Sequence, residues 1–411
     1  MLADKYQNYM YNLIKQAIDE IGPRPACSEE EKRLGRLLVR EWAPTCNVVT
    51  TEPFICSPRA YLGHLRLSVF SYFVAVILYW FYPPVSFALA ALSFAIPFFE
   101  LRGYREVVDF LFARKRGENI IGVIQPRGEV KQRVIVSAHQ DSANEFYLLY
   151  RLGSAAILLM AIAFVGVLLI LGGSLARTVA YFTGSADATV YMVIGIVAIA
   201  LTPAVGMALF FYTNRSVPGA MDDMAGLAVV TGLGRYLGEA EKTGEFFPQR
   251  TEVVLLATSS EEAGMRGAKR YVEKHLRELK ETPTHGLFLD CIYDEKLLTV
   301  IDREPFAGAR HDSELVNLAQ EAAAKHGWPI ITSQLRVGFT DAAAFSLNGL
   351  PAVCLMCADI PRLQLLPNYH TRNDVCEQVH PQSLSVSLQM AIDLIERIDN
   401  AASHSTPKCH L

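Results

Sequence analysis

The segment Val134-Ile135-Val136-Ser137-Ala138-His139-Gln140-Asp141 changes abruptly from apolar to polar residues. Its β-branched part predicts a buried strand that ends at the histidine. Because residues two apart on a strand point to the same side, His139 and Asp141 leave the strand together. Ligands of open α/β sheets bind at this carboxyl end of the strands. A carboxylate beside an imidazole holds a metal-bound histidine in one tautomer, so the pair predicts a metal site, with an inert solvated pair as the alternative.

Strand patterns alternate with helix patterns in the less apolar parts of the chain. This alternation predicts an α/β fold, a mainly parallel mixed sheet sandwiched by helices. Ser28 is the predicted N-cap of the second helix, with Glu31 as its capping-box partner. Residues 403–411 are predicted to be a disordered tail. The predicted strands are 48–54, 134–138, 252–258, 287–290, 297–301, 330–332 and 352–357, and the predicted helices are 1–21, 28–41, 224–237, 263–279, 312–326 and 384–398.

The composition excludes several classes of protein. The 411 residues are 51% hydrophobic with a net charge of −4, and the mean hydropathy of +0.21 is high for a soluble enzyme. No basic run with interleaved aromatic residues is present, so we expect no nucleic-acid partner. Eight scattered cysteines do not form a disulfide framework and fit a reducing compartment. The start of the chain lacks the pattern of a cleavable signal peptide.

Residues 67–99 form the first of three long uncharged stretches. A single helix over these 33 residues would be about 50 Å long, too long for one crossing of a hydrocarbon core of about 30 Å. Pro83-Pro84 lies in the middle, where a turn is expected. We therefore predict an inserted hairpin with arms at 67–82 and 85–99, which either crosses the bilayer or enters it in part.

Residues 152–214 contain the other two uncharged stretches. Residues 152–176 and 188–214 hold 25 and 27 residues without a charge, which is enough for one crossing each. Arg177 and Asp187 mark the predicted loop between them. This region is therefore predicted to be an inserted transmembrane hairpin, and the lipid bilayer is a predicted partner; a buried hairpin of a soluble core is the alternative.

Four further segments place carboxylates or a histidine where a strand ends or a helix begins. A single carboxylate at a helix start is worth only about 0.3–1 kcal/mol. Several such ends in one sheet, together with His139, predict a mixed histidine–carboxylate set for metal ions. A metal pair would also need a bridging carboxylate. The segments are Pro218-Gly219-Ala220-Met221-Asp222-Asp223-Met224-Ala225-Gly226, Ser259-Ser260-Glu261-Glu262-Ala263-Gly264-Met265-Arg266-Gly267, Phe288-Leu289-Asp290 and Asn368-Tyr369-His370-Thr371-Arg372-Asn373-Asp374.

In this order, the motifs HQD, DDMAG, EEAGMRG, FLDC and YHTRND resemble those of the M28 family of zinc exopeptidases. The family includes bacterial aminopeptidases, glutamate carboxypeptidase and glutaminyl cyclases. The resemblance begins at the N-terminal IGPRP motif and reaches the last helix, without the apolar stretches. It implies a zinc-exopeptidase-like fold, a peptide substrate and two Zn²⁺ ions per chain.

The resemblance also assigns the metal ligands residue by residue. One zinc would be bound by His139 and Asp290, and the other by Glu262 and His370. Asp222 would bridge the two ions. All five ligand positions of the family pattern are filled in this chain.

Further roles follow from the same resemblance. Glu261 would be the general base and Asp141 would orient His139, so both are predicted catalytic residues. The Asp222–Asp223 peptide bond would be cis. The segment 338–342 matches the family's S-D-H stretch only loosely, because Thr340 replaces the serine and Ala342 the histidine, which leaves substrate contacts there in doubt.

The positions of the ligands constrain the membrane topology. His139 and Asp222 flank residues 152–214 and belong to one site, so the insert must cross the membrane an even number of times. Positive charge flanks the apolar stretches on the side of the site, whereas the other side has only Arg177. The positive-inside rule then predicts an integral membrane protein with its catalytic domain in the cytoplasm. The flanking residues are Arg59, Arg66, Arg102, Arg105, Arg114, Lys115, Arg116, Arg151 and Arg215.

Several functions compete at this stage. The leading hypothesis is a membrane-anchored dinuclear zinc aminopeptidase that uses metal-activated water. A carboxypeptidase or dipeptidase would need an arginine for the substrate carboxylate, with Arg310, Arg336 and Arg362 as candidates. A glutaminyl cyclase would carry one zinc, and a catalytically inactive binding domain would have lost ligands. A transporter is disfavoured because the uncharged stretches carry no ionisable residue that would mark a transport pathway. The oligomeric state and the peptide sequence are not predicted.

Overall fold

The computed structural model describes residues 1–102, 104–184, 188–358 and 368–404. They fall into two compact units. The sheet unit comprises Met1–Pro58, Arg114–Ala143 and Ser216–Leu411, and the helical unit comprises Arg59–Ala113 and Asn144–Arg215. The residues of the predicted metal site therefore belong to one unit and the long uncharged stretches to the other.

The elements are named in chain order. The helices are α1 (Gln7–Glu20), α2 (Glu29–Trp42), α3 (Ala60–Leu78), α4 (Pro83–Leu101), α5 (Tyr147–Leu152), α6 (Ala155–Thr183), α7 (Ala188–Met207), α8 (Ala225–Thr243), α9 (Arg266–Glu281), α10 (Ser313–Lys325), α11 (Asp341–Ser346) and α12 (Pro381–His404). The strands are β1 (Val48–Cys56), β2 (Lys115–Ile124), β3 (Gln132–His139), β4 (Thr251–Thr258), β5 (Thr284–Asp290), β6 (Leu298–Glu304), β7 (Ala309–Arg310), β8 (Ile331–Gln334) and β9 (Ala352–Cys357).

The sheet unit is built on one mixed sheet with the strand order β1-β2-β4-β3-β5-β9-β6-β7, and β8 pairs with β6. The central strands β4, β3, β5 and β9 are parallel. The flanking pairs β1–β2, β2–β4, β9–β6 and β6–β7 are antiparallel. The predicted α/β class is confirmed, although the sequence analysis missed β2, whose charged start masks its apolar second half.

Helices cover both faces of this sheet. On one face α1, α8 and α12 pack together, and Val134, Val136 and Leu255 belong to their core. On the other face Ile135, Val254 and Leu256 pack with residues of α9 and α11. Alternate residues of β3 thus enter opposite cores, which explains why the strand is apolar on both sides.

The parallel strands bring their carboxyl ends to one edge. In the register of β3 and β4, His139 pairs with Thr258, the residue before the polar turn that carries Glu261. β3 and β5 are adjacent, so His139 and Asp290 end neighbouring strands. The last helix extends to His404, so the predicted tail begins later than expected, and its remainder at 405–411 lies outside the described residues.

The helical unit contains the apolar stretches as two hairpins, α3–α4 and α6–α7. Its four long helices have the length and hydropathy needed to cross a membrane. The predicted arms 67–82 and 85–99 correspond to helices at Ala60–Leu78 and Pro83–Leu101. Arg66 and Glu100 lie inside these helices, and the first helix ends before the predicted boundary. Pro83 and Pro84 begin α4, where their missing N–H groups cost no hydrogen bond.

The predicted loop at Arg177–Asp187 is corrected by the structure. α6 continues through Arg177 to Thr183, and Asp187 lies outside the described residues. The guanidinium of Arg177 donates hydrogen bonds to the carbonyl oxygens of Tyr79 and Trp80. These hydrogen bonds give the guanidinium group its partners, so the helix continues past Arg177.

Candidate metal centre

His139 closes β3 with its ring held at both nitrogens. Its Nδ1 lies 3.0 Å from the carbonyl oxygen of Asp141 and 3.5 Å from Asp141 Oδ1. Its Nε2 lies 3.0 Å from Asp222 Oδ1. The ring therefore presents Nε2 to the centre of the cluster, which is the orientation that a metal ligand needs.

The carboxylate of Asp141 does more than orient the histidine. It accepts hydrogen bonds from the backbone N–H groups of Glu261 at 2.9 Å and Glu262 at 3.1 Å. Asp141 is fully buried. It thus connects the end of β3 to the turn after β4, and this second contact was not anticipated from the sequence.

Asp222 lies between the two histidines of the site. Its Oδ1 contacts His139, and its Oδ2 lies 3.1 Å from His370 Nε2. The peptide bond to Asp223 is cis, as the family resemblance implies. The Asp223 carboxylate accepts hydrogen bonds from the backbone N–H groups of Gly226 at 3.1 Å and His139 at 3.3 Å. Of the pair, only Asp222 belongs to the groups of potential metal ligands found among the described residues.

Glu262 and Asp290 complete the predicted set of ligands. Glu262 Oε1 lies 3.2 Å from His370 Nε2. Donor atoms of His139, Asp222 and Glu262 lie within 4.8 Å of one another, as do those of Asp222, Asp290 and Cys291. Because Asp222 belongs to both groups, it occupies the position of a bridging carboxylate. Cys291 was missed by the sequence analysis, although it directly follows Asp290 in the FLDC motif.

Backbone conformation at the site is unusual. Ser260, Cys291 and His370 have φ angles of 61°, 49° and 51°, in the left-handed region that side chains with a Cβ rarely adopt. Ser260 precedes Glu261 and Cys291 follows Asp290. Such conformations cluster at functional sites because they aim side chains that a regular element would direct elsewhere.

The second glycine of the EEAGMRG motif has a packing reason. A Cβ on Gly267 would lie 2.3 Å from the carbonyl oxygen of Ser259 and 2.5 Å from Asn119 Oδ1. Asn119 in turn accepts a hydrogen bond from the N–H of Ser259 and donates one to the carbonyl of Gly267. The absence of a side chain therefore allows the start of α9 to approach the end of β4.

Burial and repulsion between neighbouring carboxylates raise the pKa values of Glu261 and Asp290. Burial raises the pKa of Glu261 well above its ordinary value, and the nearby carboxylates of Asp341, Glu262 and Asp290 raise it further. Burial likewise raises the pKa of Asp290 to about 7, with Asp222 contributing. Acids that are so close and so deeply buried require positive charge beside them.

At the two histidines and Asp222, by contrast, the neighbouring groups favour the charged form: the pKa values of His139 and His370 are raised and that of Asp222 is lowered. Burial disfavours the cation of His370, but the carboxylates of Glu262 and Asp222 outweigh it and raise the pKa to about 10. Burial also opposes ionisation of Asp222, yet hydrogen bonds from His139 and His370 hold its pKa below the usual range. Nitrogen and carboxylate donors at one buried point are the ligands that zinc takes. The residues present therefore fit a zinc centre.

Arg24 is a residue of this site that the sequence analysis did not single out. It is fully buried and donates from Nε to the carbonyl of Gln140 at 3.0 Å. Its terminal nitrogens donate to Pro218 at 2.9 Å and Gly219 at 2.8 Å. One side chain thus connects the residue between His139 and Asp141 to the turn before Asp222. Its only sequence signal is its place in the IGPRP motif.

Asp374 supports the same turn from the other side. Its carboxylate accepts hydrogen bonds from the backbone N–H groups of Met221 at 2.6 Å and Asp222 at 3.3 Å. Gly219 completes the turn with a φ of 69°, and a Cβ there would lie within 3 Å of Ser142, Asp222 and Arg24. The aspartate of the YHTRND motif therefore supports the backbone that carries Asp222.

The loosely matched segment 338–342 runs into the start of α11, and its Thr340, Asp341 and Ala342 are buried. The hydroxyl of Thr258 donates a hydrogen bond to Asp341, and Thr340 donates to Glu304 from its N–H at 2.9 Å and its hydroxyl at 2.6 Å. Of the arginines considered for a substrate carboxylate, Arg310 and Arg336 are exposed to solvent. Arg362 lies outside the described residues.

Part of the chain is similar in sequence to a known family of peptidases. Residues 204–395 match the sequence model of peptidase family M28. The resemblance to this family is confirmed. The matched M28 region contains Asp222, Glu262, Asp290 and His370, whereas His139 precedes it. No curated protein sequence matches the chain.

Solved structures agree with the M28 match. A zinc aminopeptidase from Bacillus subtilis superposes with a TM-score of 0.56 at 16% identity, covering 95% of each chain. An aminopeptidase from an Aneurinibacillus species gives 0.57 at 14% identity, covering 96% of this chain and 95% of that one. A glutaminyl cyclase from Bacteroides thetaiotaomicron gives 0.55 at 13% identity, covering 95% and 97%. The chain therefore has the mixed α/β fold of the zinc aminopeptidases, which the cyclases share.

Proposed function

We propose that this chain is a membrane-anchored dinuclear zinc exopeptidase that acts as an aminopeptidase. One observation carries the proposal: the Asp222 carboxylate reaches both His139 and His370, with Glu262 and Asp290 beside it. A bridging carboxylate flanked by two such sets is the arrangement that a pair of metal ions needs. The M28 match and the aminopeptidase fold support hydrolysis of peptide bonds.

The proposed zinc ligands are His139 and Asp290 on one side, Glu262 and His370 on the other, and Asp222 between them. Bound zinc lowers the pKa of a coordinated water to about 7 and polarises a carbonyl group. The protein's part is to hold these five side chains at the ends of rigid elements and to exclude bulk water, since all of them are buried or nearly so.

Glu261 is the proposed general base. Its backbone N–H is fixed by Asp141, and its Oε1 is buried without a hydrogen-bond partner among the described residues. A carboxylate oxygen in this state is available to accept a proton from water and to pass it to the leaving amine. Burial raises the pKa of Glu261 above its ordinary value, and a carboxylate with a higher pKa is a stronger proton acceptor.

Membrane anchoring is the second part of the proposal. The chain leaves the sheet unit after Ala143 and returns at Ser216, and both flanks carry residues of one site. An even number of crossings between these flanks satisfies this constraint, and the described part of this stretch contains two long apolar helices, α6 and α7. By the positive-inside rule, the excess of arginines beside the apolar stretches supports a cytoplasmic location of the sheet unit as part of this proposal.

The enzymatic proposal is tested by metal content and product analysis. The purified full chain should contain two zinc ions and release the N-terminal residue from unblocked peptides, and a chelator should abolish the reaction. N-terminally acetylated peptides with free carboxyl termini are the matched control, because a carboxypeptidase would cleave them. One zinc per chain together with cyclisation of N-terminal glutaminyl peptides would establish the cyclase that shares this fold.

The orientation is tested by thiol labelling in intact cells. In a background without native cysteines, single cysteines replace Gly184, after α6, and Gly244, after α8. A membrane-impermeant reagent should label the Gly184 site and leave the Gly244 site protected until the cells are lysed. The opposite pattern would place the sheet unit outside the cytoplasm.

A further inference from the structure

Six arginines of the helical unit are exposed and lie near the ends of its helices. Two of them flank or begin α3, two follow α4, one ends α5 before α6, and one follows α7. No other lysine or arginine occurs among the described residues of the unit except Arg177. The six, which we call the arginine end, are Arg59, Arg66, Arg102, Arg105, Arg151 and Arg215.

Contacts between the helices place these arginines at one end of the unit. In the first hairpin the hydroxyl of Ser86 donates to the carbonyl of Ala75, and that of Ser93 donates to Ser68. Each step along α4 toward its C-terminus therefore approaches the N-terminus of α3. Arg102, which follows α4, therefore lies toward the end of the hairpin at which Arg59 precedes α3.

The second hairpin continues this register. The hydroxyls of Tyr79 and Tyr72 donate to the carbonyls of Tyr191 and Ala198 respectively, so α7 runs antiparallel to α3. Nearer the start of α3 and beyond the end of α7, the guanidinium of Arg66 lies 5.5 Å from the centre of the Tyr212 ring. The segments before α6 and after α7 also meet, because the tilted rings of Phe146 and Phe211 have their centres 4.6 Å apart. Arg151 and Arg215 belong to these two segments.

The arginine end lacks anionic partners within the described part of the chain. No ion pair joins any of its six guanidinium groups to a carboxylate there. Arg105 lies 5.8 Å from the centre of the Phe99 ring and Arg151 lies 5.4 Å from that of Tyr147. Stacking on a ring positions a guanidinium without neutralising its charge.

The other end of the unit is different. Its arginine, Arg177, has its guanidinium bonded to two carbonyl oxygens and stacked 4.9 Å from the centre of the Tyr79 ring. Among the described residues, the exposed arginines of the unit thus lie at one end, whereas Arg177 at the other end is partly buried.

Apolar side chains protrude beside the arginine end. The short 3₁₀ turn Asp109–Leu111 follows α4, and its Phe110 and Leu111 are 78% and 57% exposed. Exposed apolar residues next to uncompensated arginines form the pattern of a segment that enters the boundary between headgroups and acyl chains. A soluble anion would match the arginines and leave these two side chains in water.

We propose that the arginine end binds the headgroups of anionic phospholipids, with Phe110 and Leu111 inserted among the acyl chains. The inference rests on the proposed membrane insertion of the helical unit and goes beyond it, because anchoring by apolar helices requires no particular lipid. Each cationic side chain near an anionic surface contributes about 1 kcal/mol, which is roughly a fivefold change in binding.

The test uses the full chain in detergent, mixed with equal amounts of phosphatidylglycerol and phosphatidylcholine and analysed by native mass spectrometry. We expect phosphatidylglycerol to be retained at least about tenfold more often at low salt, with the preference reduced at high ionic strength. The triple variant Arg59→Gln, Arg102→Gln and Arg215→Gln should lose most of the preference. These three make no ring contact among the described residues, so the substitutions leave the packing intact.

Two controls accompany the measurement. The triple variant Arg36→Gln, Arg277→Gln and Arg397→Gln removes the same charge from the sheet unit and should keep the lipid preference. Replacing the three arginines of the helical unit by lysine keeps the charge and should also keep it. Equal retention of both lipids by the unsubstituted chain, or an unchanged preference in the first triple variant, would overturn the inference.

Two further measurements identify the source of a failure. Glycerol 1-phosphate should leave bound phosphatidylglycerol in place; displacement by this soluble headgroup would overturn the inference in favour of a soluble-anion site. Extraction of native membranes with alkaline carbonate tests insertion itself. Retention in the pellet without any lipid preference refutes only the lipid inference, whereas release into the supernatant refutes the membrane anchoring as well.

Discussion

Glu261 and Glu262 are neighbours in the chain with different surroundings. The Oε1 of each is buried without a hydrogen-bond partner among the described residues, but only the Oε1 of Glu262 lies within ion-pair distance of a described histidine, 3.2 Å from His370 Nε2. Glu261→Gln should therefore keep bound zinc and lose activity by about 10²–10⁴-fold, because the amide cannot accept a proton. Zinc content and kcat on an aminoacyl substrate check this. Glu262→Gln is the matched control and should lose zinc; a Glu261→Gln enzyme with near-normal kcat would remove the base from the mechanism.

Arg24 offers a second prediction at the residue scale. Its guanidinium joins the two backbone segments that carry His139 and Asp222, and each hydrogen bond from a charged group is worth about 1.5–3 kcal/mol. Arg24→Met should lower the unfolding temperature and weaken zinc binding at least tenfold. A competition titration with a chromogenic chelator measures the latter.

The control for Arg24 is Arg33, which donates to the carbonyl of Glu20 from an exposed position. Arg33→Met should change neither quantity by much. If Arg24→Met loses stability while the cobalt-substituted protein keeps its visible absorption spectrum, Arg24 stabilises the fold without positioning the ligands.

At the scale of elements, adjacent glycines in α6 have different environments. A Cβ on Gly173 would lie 2.5 Å from Ile194 Cγ2 of α7, whereas one on Gly172 would meet no atom within 4 Å. Small residues let apolar helices approach closely when no hydrophobic force drives them together.

Gly173→Val should therefore destabilise the helical unit by about 1–3 kcal/mol through overpacking, and Gly172→Val should be tolerated. Thermal unfolding in detergent, followed by tryptophan fluorescence, compares the two, since Trp80 lies in this unit. Equal effects of both substitutions would show that α6 and α7 do not pack in this register.

At the scale of the whole molecule, the buried charges link metal binding to pH. Without metal, Asp290 with a pKa of about 7 keeps its proton at pH values where the unfolded chain, with an ordinary value near 4, has lost it. The folded state then binds more protons, so stability falls as the pH rises. His370 acts in the same direction, because its stabilisation is complete below about pH 6.5 and is lost as the pH approaches 10.

Chelated protein should thus unfold at progressively lower temperature between pH 5.5 and 8.5. Zinc requires deprotonated ligands and binds more tightly as the pH rises, so the stabilisation by zinc should grow over the same interval. Calorimetric scans with and without zinc measure both trends. A zinc-induced shift that does not change with pH would contradict the placement of these ionisable groups around the metal.

The local sequence was sufficient to predict which side chains gather at the candidate metal centre and where the apolar helices lie. The clustered side chains lie in short sequence motifs that can be recognised without knowledge of the packing, namely those of His139, Asp222, Glu262, Asp290 and His370. Residues 152–176 form a long stretch without a charge. Both signals are local, since they depend on neighbours within one element. The sequence also predicted the α/β fold, because burial on both faces makes the central strands apolar throughout.

Tertiary structure alone decided how these pieces support one another. Arg24 Nη2 and the carbonyl of Gly219 are 195 residues apart in sequence, and Asp141 reaches the N–H of Glu261 over 120 residues. The arginine end likewise gathers residues from separate segments of the chain through the register of two hairpins. Contacts of this kind leave no periodic trace in the sequence, because a hydrogen bond to a backbone carbonyl places no demand on the side chain of its partner.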